Sequence, residues 1–236
     1  MKPASARASL VVLALSASAL AAVGGEIPAA SIVLEALPAP PGGDPSSAPA
    51  RFVLLKDGQV FVGGTSRIEA GRLEKGEAQA LRKRAEQVRK LPGLASPVAL
   101  GGDASRVLRL RLLEDDPLDL LATGEPAAAP PSLAPLATLL ADLLRFNHPS
   151  LRPYAPSTYG MTAREARLPG GCRPWGFTFP IAEALASPRT VSAAEAAGWP
   201  TGAVPASVCV DDPRSSAGAS RRYAVTLRPL LPNEVP

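Results

Sequence analysis

His148 is the one histidine in 236 residues, and Ser150 stands two positions after it. An imidazole beside a hydroxyl is the pairing that activates a serine as a nucleophile, because histidine takes up and releases a proton near neutral pH. The stretch FNHPSL also has a purely local account. Asn147 suits a left-handed cap at the end of a helix, Pro149 forbids continuation, and a histidine near a helix C-terminus is favoured when charged. No G-x-S-x-G elbow occurs in the chain. Helix termination is therefore the expected role of His148, with catalysis as the alternative.

Asp115, Asp116 and Asp119 are the densest acidic group. They could hold a hard cation such as calcium, or supply a carboxylate pair for glycoside hydrolysis. Their spacing lacks the glycine and distal glutamate of an EF-hand. Asp-Pro is ordinary turn chemistry and recurs in VDDP at 210–213, so turns are expected at both places. Trp175, Phe177 and Phe179 alternate in RPWGFTFP, as on one face of a strand. Such a row could stack on sugar rings or bind a peptide. The expected role is core, under a short helix that residues 180–186 could supply.

Cys172 and Cys209 form an even pair and read as a disulfide in an exported chain. With one histidine, two cysteines are too few for a usual structural zinc site. The glycine pairs at 63–64, 101–102 and 170–171 fit neither a P-loop nor a dinucleotide fingerprint. No metal and no cofactor is expected.

Several elements must position these residues. RFVLLKDGQVFVGG predicts a hairpin with Asp57-Gly58 as a two-residue type I′ turn, pairing Leu55 with Val60, Leu54 with Phe61 and Val53 with Val62. SIVLEAL at 31–37 reads equally as strand or short helix. Ala78, Leu81, Ala85, Val88 and Leu91 recur at helical spacing, and Pro92-Gly93 ends that run. Its basic residues Arg82, Lys83, Arg84, Arg89 and Lys90 read as a solvated face. Leu108, Leu110 and Leu112 alternate with Arg109 and Arg111 in a strand with one buried face, returning after Asp116-Pro117. Leu136, Leu139, Leu140, Leu143 and Leu144 mark a second, well-buried helix, with Ser132 as its cap. Ser192-x-x-Glu195 with Gly198 suggests one further short helix, and ASVCVDDP at 206–213 and RRYAVTLRP at 221–229 two strands.

The chain opens with a basic start, Lys2 and Arg7, then an uncharged small apolar run over 9–23. Ala19-Leu20-Ala21 fits a cleavage site, with Ala17-Ser18-Ala19 as second choice. Residues 1–21 thus read as a signal peptide, too short and too rich in Ala and Ser for a span. Residues 22–50 read as a Pro/Ala/Gly-rich linker and 51–236 as a single domain, divisible at 146/147. Cleavage leaves 23 basic against 21 acidic residues, a weak case for nucleic-acid binding. The charge is uneven. Residues 51–111 hold 13 Lys/Arg against 6 acidic residues, and residues 112–144 hold 6 acidic and no basic ones. Adjacent blocks of opposite sign are expected to balance across the fold.

These observations predict an α+β fold of antiparallel hairpins packed by two main helices, with a disulfide-braced, aromatic- and proline-rich C-terminal portion. The expected function is a non-catalytic envelope or extracellular module of a bacterium, periplasmic or secreted. It would bind a protein or envelope component, with no nucleic acid and no transmembrane segment after cleavage. The alternatives are a carboxylate-based hydrolase of an envelope polymer, using Asp115, Asp116 and Asp119, and a protease inhibitor.

Overall fold

A computed structural model describes residues 27, 29–37, 50–63, 67–166, 171–202, 205–211 and 220–236. The expected signal peptide, most of the linker, and Asp212 and Pro213 of the expected VDDP turn lie outside the described residues. The fold is α+β, mostly strand, with two sheets and few helices. No helix among the described residues is long and apolar enough to cross a membrane.

Eight strands build the first sheet: β1 (Ala30–Leu37), β2 (Ala50–Leu55), β3 (Gln59–Gly63), β4 (Ile68–Arg72), β5 (Val98–Gly101), β6 (Val107–Leu112), β7 (Leu118–Gly124) and β8 (Arg152–Pro153). Their order is β5-β7-β6-β1-β2-β3-β4-β8. β1 comes from the stretch read as linker, yet it lies in the interior of this sheet, paired with β2 and β6. The folded part therefore takes in residues upstream of Arg51. The ambiguity of SIVLEAL resolves because both faces of β1 are covered: Ile32 and Leu34 join one core cluster, Val33 another.

Helices α1 (Lys75–Arg89) and α2 (Ala134–Leu144) bury Ala78, Leu81, Ala85 and Val88, and Leu136, Leu139, Leu140 and Leu143, in the cluster holding Leu108, Leu110 and Leu112. α2 starts after a 3₁₀ turn over Pro131–Leu133, so Ser132 is not its cap.

The β2–β3 hairpin differs from expectation by one residue. Observed pairs are Phe52 with Val62, Val53 with Phe61 and Leu54 with Val60. Only Gly58 takes a positive φ, +88°, and the Gly58 N–H donates to the Leu55 carbonyl at 3.1 Å. The loop thus has three residues, Lys56 to Gly58, with the left-handed position last. One residue of slip exchanges faces. Phe52, Leu54 and Val60 face the helices, while Val53, Leu55 and Phe61 face the opposite cluster.

The second sheet holds β9 (Thr158–Glu165), β10 (Arg173–Pro174), β11 (Arg189–Ser192), β12 (Ala206–Asp211) and β13 (Ser220–Pro229), in the order β10-β12-β13-β9-β11. Met161, Val191, Val208, Tyr223, Val225 and Leu227 form its core together with Ala184 of α3 (Ile181–Ala186). Cys172 and Cys209 are disulfide-bonded, with Cα atoms 5.5 Å apart. The expected aromatic strand is only two residues long. Residues 177–179 form a bend, and the rings meet by curvature rather than by alternation. Residues 193–198 are a turn, although Ser192 and Glu195 exchange the reciprocal capping bonds and Gly198 takes φ +77°. Tyr154 donates to the Leu230 carbonyl, and Leu231 packs with Ile27, Val33 and Phe61 on the first sheet.

Candidate functional site

The first turn of α1 sits where β4 ends. Glu74 and Glu77 form a capping box, so the Glu77 carboxylate is fixed by the Glu74 N–H at 2.8 Å. Its other oxygen lies 3.2 Å from His148 Nε2. The loop carrying His148 follows α2 and is anchored by Phe146, whose ring meets Phe52 edge-on at 4.9 Å. A turn closes on His148, with Leu151 N–H donating to its carbonyl at 3.0 Å. This turn brings Ser150 Oγ to 2.7 Å from His148 Nδ1. The structure therefore assembles a Ser–His–Glu row from Ser150, His148 and Glu77, the last 71 residues away in sequence.

His148 is not a helix terminator in the expected way. α2 ends at Leu144, capped by Arg145 at φ −108°. Among the described residues, only Asp115 and Asn233 are non-glycine residues with positive φ, so Asn147 is not a left-handed cap. Instead the imidazole braces three elements. Nδ1 accepts the Ser150 N–H at 3.2 Å, which places the ring proton on Nε2, facing Glu77. The Glu77 carboxyl is held below its ordinary range by the Glu74 N–H first and by His148 second.

A nucleophilic hydroxyl needs a free lone pair aimed at open space. Ser150 Oγ has none. It accepts the Arg72 N–H at 3.1 Å and faces the Arg72 carbonyl at 3.0 Å, so it completes the backbone pairing of β4. A hydroxyl has one proton and two lone pairs. Arg72 N–H takes one lone pair, and Arg72 O and His148 Nδ1, both acceptors here, share the one proton. Gly71 closes the remaining side, since a Cβ there would stand 2.5 Å from Ser150 Oγ. The row has the distances of a charge relay and the surroundings of a joint.

Asp115, Asp116 and Asp119 fall in two places, a turn and a strand. Asp115 and Asp116 form the β6–β7 turn, Asp115 with φ +52°. Asp119 pairs with Arg109, which holds its carboxyl below the ordinary range, a direction opposite to that of a general acid. Among the described residues no three His, Cys, Asp or Glu side chains gather as a metal site.

Sequence reasoning missed Glu35. It is 2% exposed on β1, 2.9 Å from Arg111 and 3.9 Å from Arg109. Its Oε2 accepts no hydrogen bond. Burial raises its carboxyl above the ordinary range, and Arg111 and Arg109 only partly offset this. Arg109 and Arg111, read as the open face of a strand, are thus taken up in an ionic layer. The only signal in the sequence was one charge inside an apolar run.

The arginines of α1 are likewise committed. Arg82 reaches Glu114 at 3.1 Å and the Lys56 carbonyl at 2.9 Å, Arg84 pairs with Asp142, and Arg89 bonds Glu86 and the Glu114 carbonyl. The basic block does balance the acidic block, through Glu114, Asp119 and Asp142. Trp175, Phe177 and Phe179 pack with Trp199 around α3, Phe177 being 8% exposed. Arg173 covers the Trp199 face at 4.4 Å and Arg189 the Phe179 face at 5.1 Å, which leaves those faces without room for a stacked sugar.

Two open clefts flank the helices. One of about 330 Å³ lies between α1 and the β6–β7 turn, beside Arg82, Arg89 and Asp115. One of about 600 Å³ runs along α2, floored by Ala134, Ala137 and Ala141, with Arg106 and Arg145 among its walls. Neither the sequence nor the fold matches a known protein family, a curated protein or a solved structure.

Proposed function

We propose that this chain is an exported, non-catalytic module of the bacterial envelope or extracellular space, with a binding or structural role. The observation that carries the reading is the enclosure of Ser150 Oγ by Arg72, His148 and Gly71, which turns the one histidine-centred constellation into a brace. Three others support it. The disulfide suits an oxidising compartment. The pairing of the α1 arginines within the fold favours a protein or envelope partner over a nucleic acid. The alanine-floored groove along α2 offers a surface that a partner could approach closely. We take both sheets as parts of one domain, since Tyr154 and Leu231 carry contacts between them.

A serine-directed fluorophosphonate tests the brace. The intact mass of the folded chain should stay unchanged after exposure. Stoichiometric addition that disappears in Ser150→Ala would make the row catalytic and overturn the reading. N-terminal sequencing of protein recovered from outside the cytoplasm should begin near Ala22. Retention of Met1 on a membrane-bound form would contradict export with cleavage.

A further inference from the structure

We propose that the Cys172–Cys209 bridge is a reducible latch holding the aromatic cap of the second sheet. The cap is the segment 171–180 with Trp199 folded against it. Its backbone attachment is slight: β10 pairs with β12 only at Arg173–Val208 and Pro174–Cys209. Arg173 donates to the Gly198 carbonyl at 3.0 Å and lies over Trp199, contacts that remain within the cap. Trp175 Nε1 donates to the Phe179 carbonyl at 2.6 Å, again within the cap. The disulfide fastens it covalently to the sheet, beside the packing of Phe177, Trp175 and Phe179 on the second core and the Arg189 guanidinium over Phe179.

Cys172 is exposed at the sheet edge, and Cys209 is half-buried. Exposed disulfides are the exchange-labile kind. A thiolate of an external dithiol attacks Cys172 Sγ, the S–S bond breaks, and Cys209 leaves as a thiolate that takes up a proton. The second thiol of the reductant then attacks the mixed disulfide and releases Cys172. The protein gains two electrons and two protons, and the dithiol becomes a disulfide. Opening the bridge removes the one covalent tie between the cap and β12 and leaves the cap to its short pairing and its side-chain packing. Departure of β10 leaves β12, with Val208 and Val210, as an unpaired edge able to accept a strand.

Both tryptophans of the chain, Trp175 and Trp199, lie in this cap, so their fluorescence reports on it. The full oxidised chain is titrated with dithiothreitol in native buffer, with thiols counted by mass. Emission should shift to the red as two thiols appear. Amide exchange should rise at least about a hundredfold over 171–180 and 206–211, remain unchanged in β1, β2 and β6, and reverse on reoxidation. The double substitution Cys172→Ser with Cys209→Ser should show the open signature without reductant and no response to it. Two free thiols with unaltered emission and exchange would overturn the latch. So would unfolding of the whole chain on reduction, or a bridge that resists the dithiol in the folded protein.

Discussion

The eight-stranded sheet and the five-stranded sheet are held in different ways. Among the described residues, twenty buried side chains form the helix-covered core of the first, nearly all aliphatic. Nine form that of the second, and partly buried aromatic rings surround them. A small core buries too little apolar surface to hold loop-rich backbone, and a covalent staple supplies what is missing. The first sheet has no staple and can enclose a glutamate between two arginines; the second has its bridge and its two cation–π contacts.

Leu140→Ala should have the largest effect. The side chain is fully buried, and the cavity should cost about 2–5 kcal/mol. In amide exchange that loss should appear in the first sheet, whereas serine at both cysteines should weaken the second. Protection lost alike in both sheets with either change would erase the distinction between the regions.

Glu35→Ala comes next. It leaves Arg111, with its side chain 12% exposed, without its buried counter-charge, while Arg109 keeps Asp119. A loss of about 3 kcal/mol is expected by urea denaturation. Glu35→Gln keeps an acceptor for Arg111 and should lose clearly less; equal losses would show that charge, not hydrogen bonding, is what the layer requires.

The same layer has a pH signature. The folded Glu35 carboxyl is raised, so its contribution is fully present below its unfolded pKa and is lost as pH rises through the folded value. Asp119 is lowered, so its contribution is present above its unfolded pKa and is lost as pH falls through the folded value. Relative to Glu35→Gln, the parent chain should gain stability on acidification from neutral pH toward the carboxylate range. A parallel pair of stability–pH curves would contradict this assignment.

The smallest effect should be that of His148→Gln, about 1 kcal/mol or less, because its bonds to Glu77 and Ser150 are partly exposed. A larger loss of stability would mean that the joint carries more of the first sheet than its contacts indicate.

The local patterns of the first sheet were legible in the sequence. The stripe of α1 and the alternation of β6 record single elements, and a periodic face needs no knowledge of its partner. The balance of the charged blocks was legible because it is a bulk property. The disulfide followed from cysteine number. Pairings across distance were not legible. Nothing near Glu77 announces His148, and nothing in SIVLEAL names Arg109 and Arg111. The β2–β3 register failed on one torsion angle, because Asp-Gly serves both two- and three-residue loops. The aromatic row packs on the second core, and its bend was hidden because three rings gather as readily on a curved loop as on a strand.

The central claim is that Ser150 Oγ belongs to the backbone pairing of β4 rather than to a reaction. Amide exchange at Arg72 tests this most directly. In Ser150→Ala the Arg72 N–H loses its acceptor and the Arg72 carbonyl its donor. Exchange at Arg72 should accelerate, with a stability loss of about 1–2 kcal/mol. Unchanged exchange at Arg72 and an unchanged melting curve, together with loss of a measurable activity, would show that the serine acts on a substrate and that the brace is an active site.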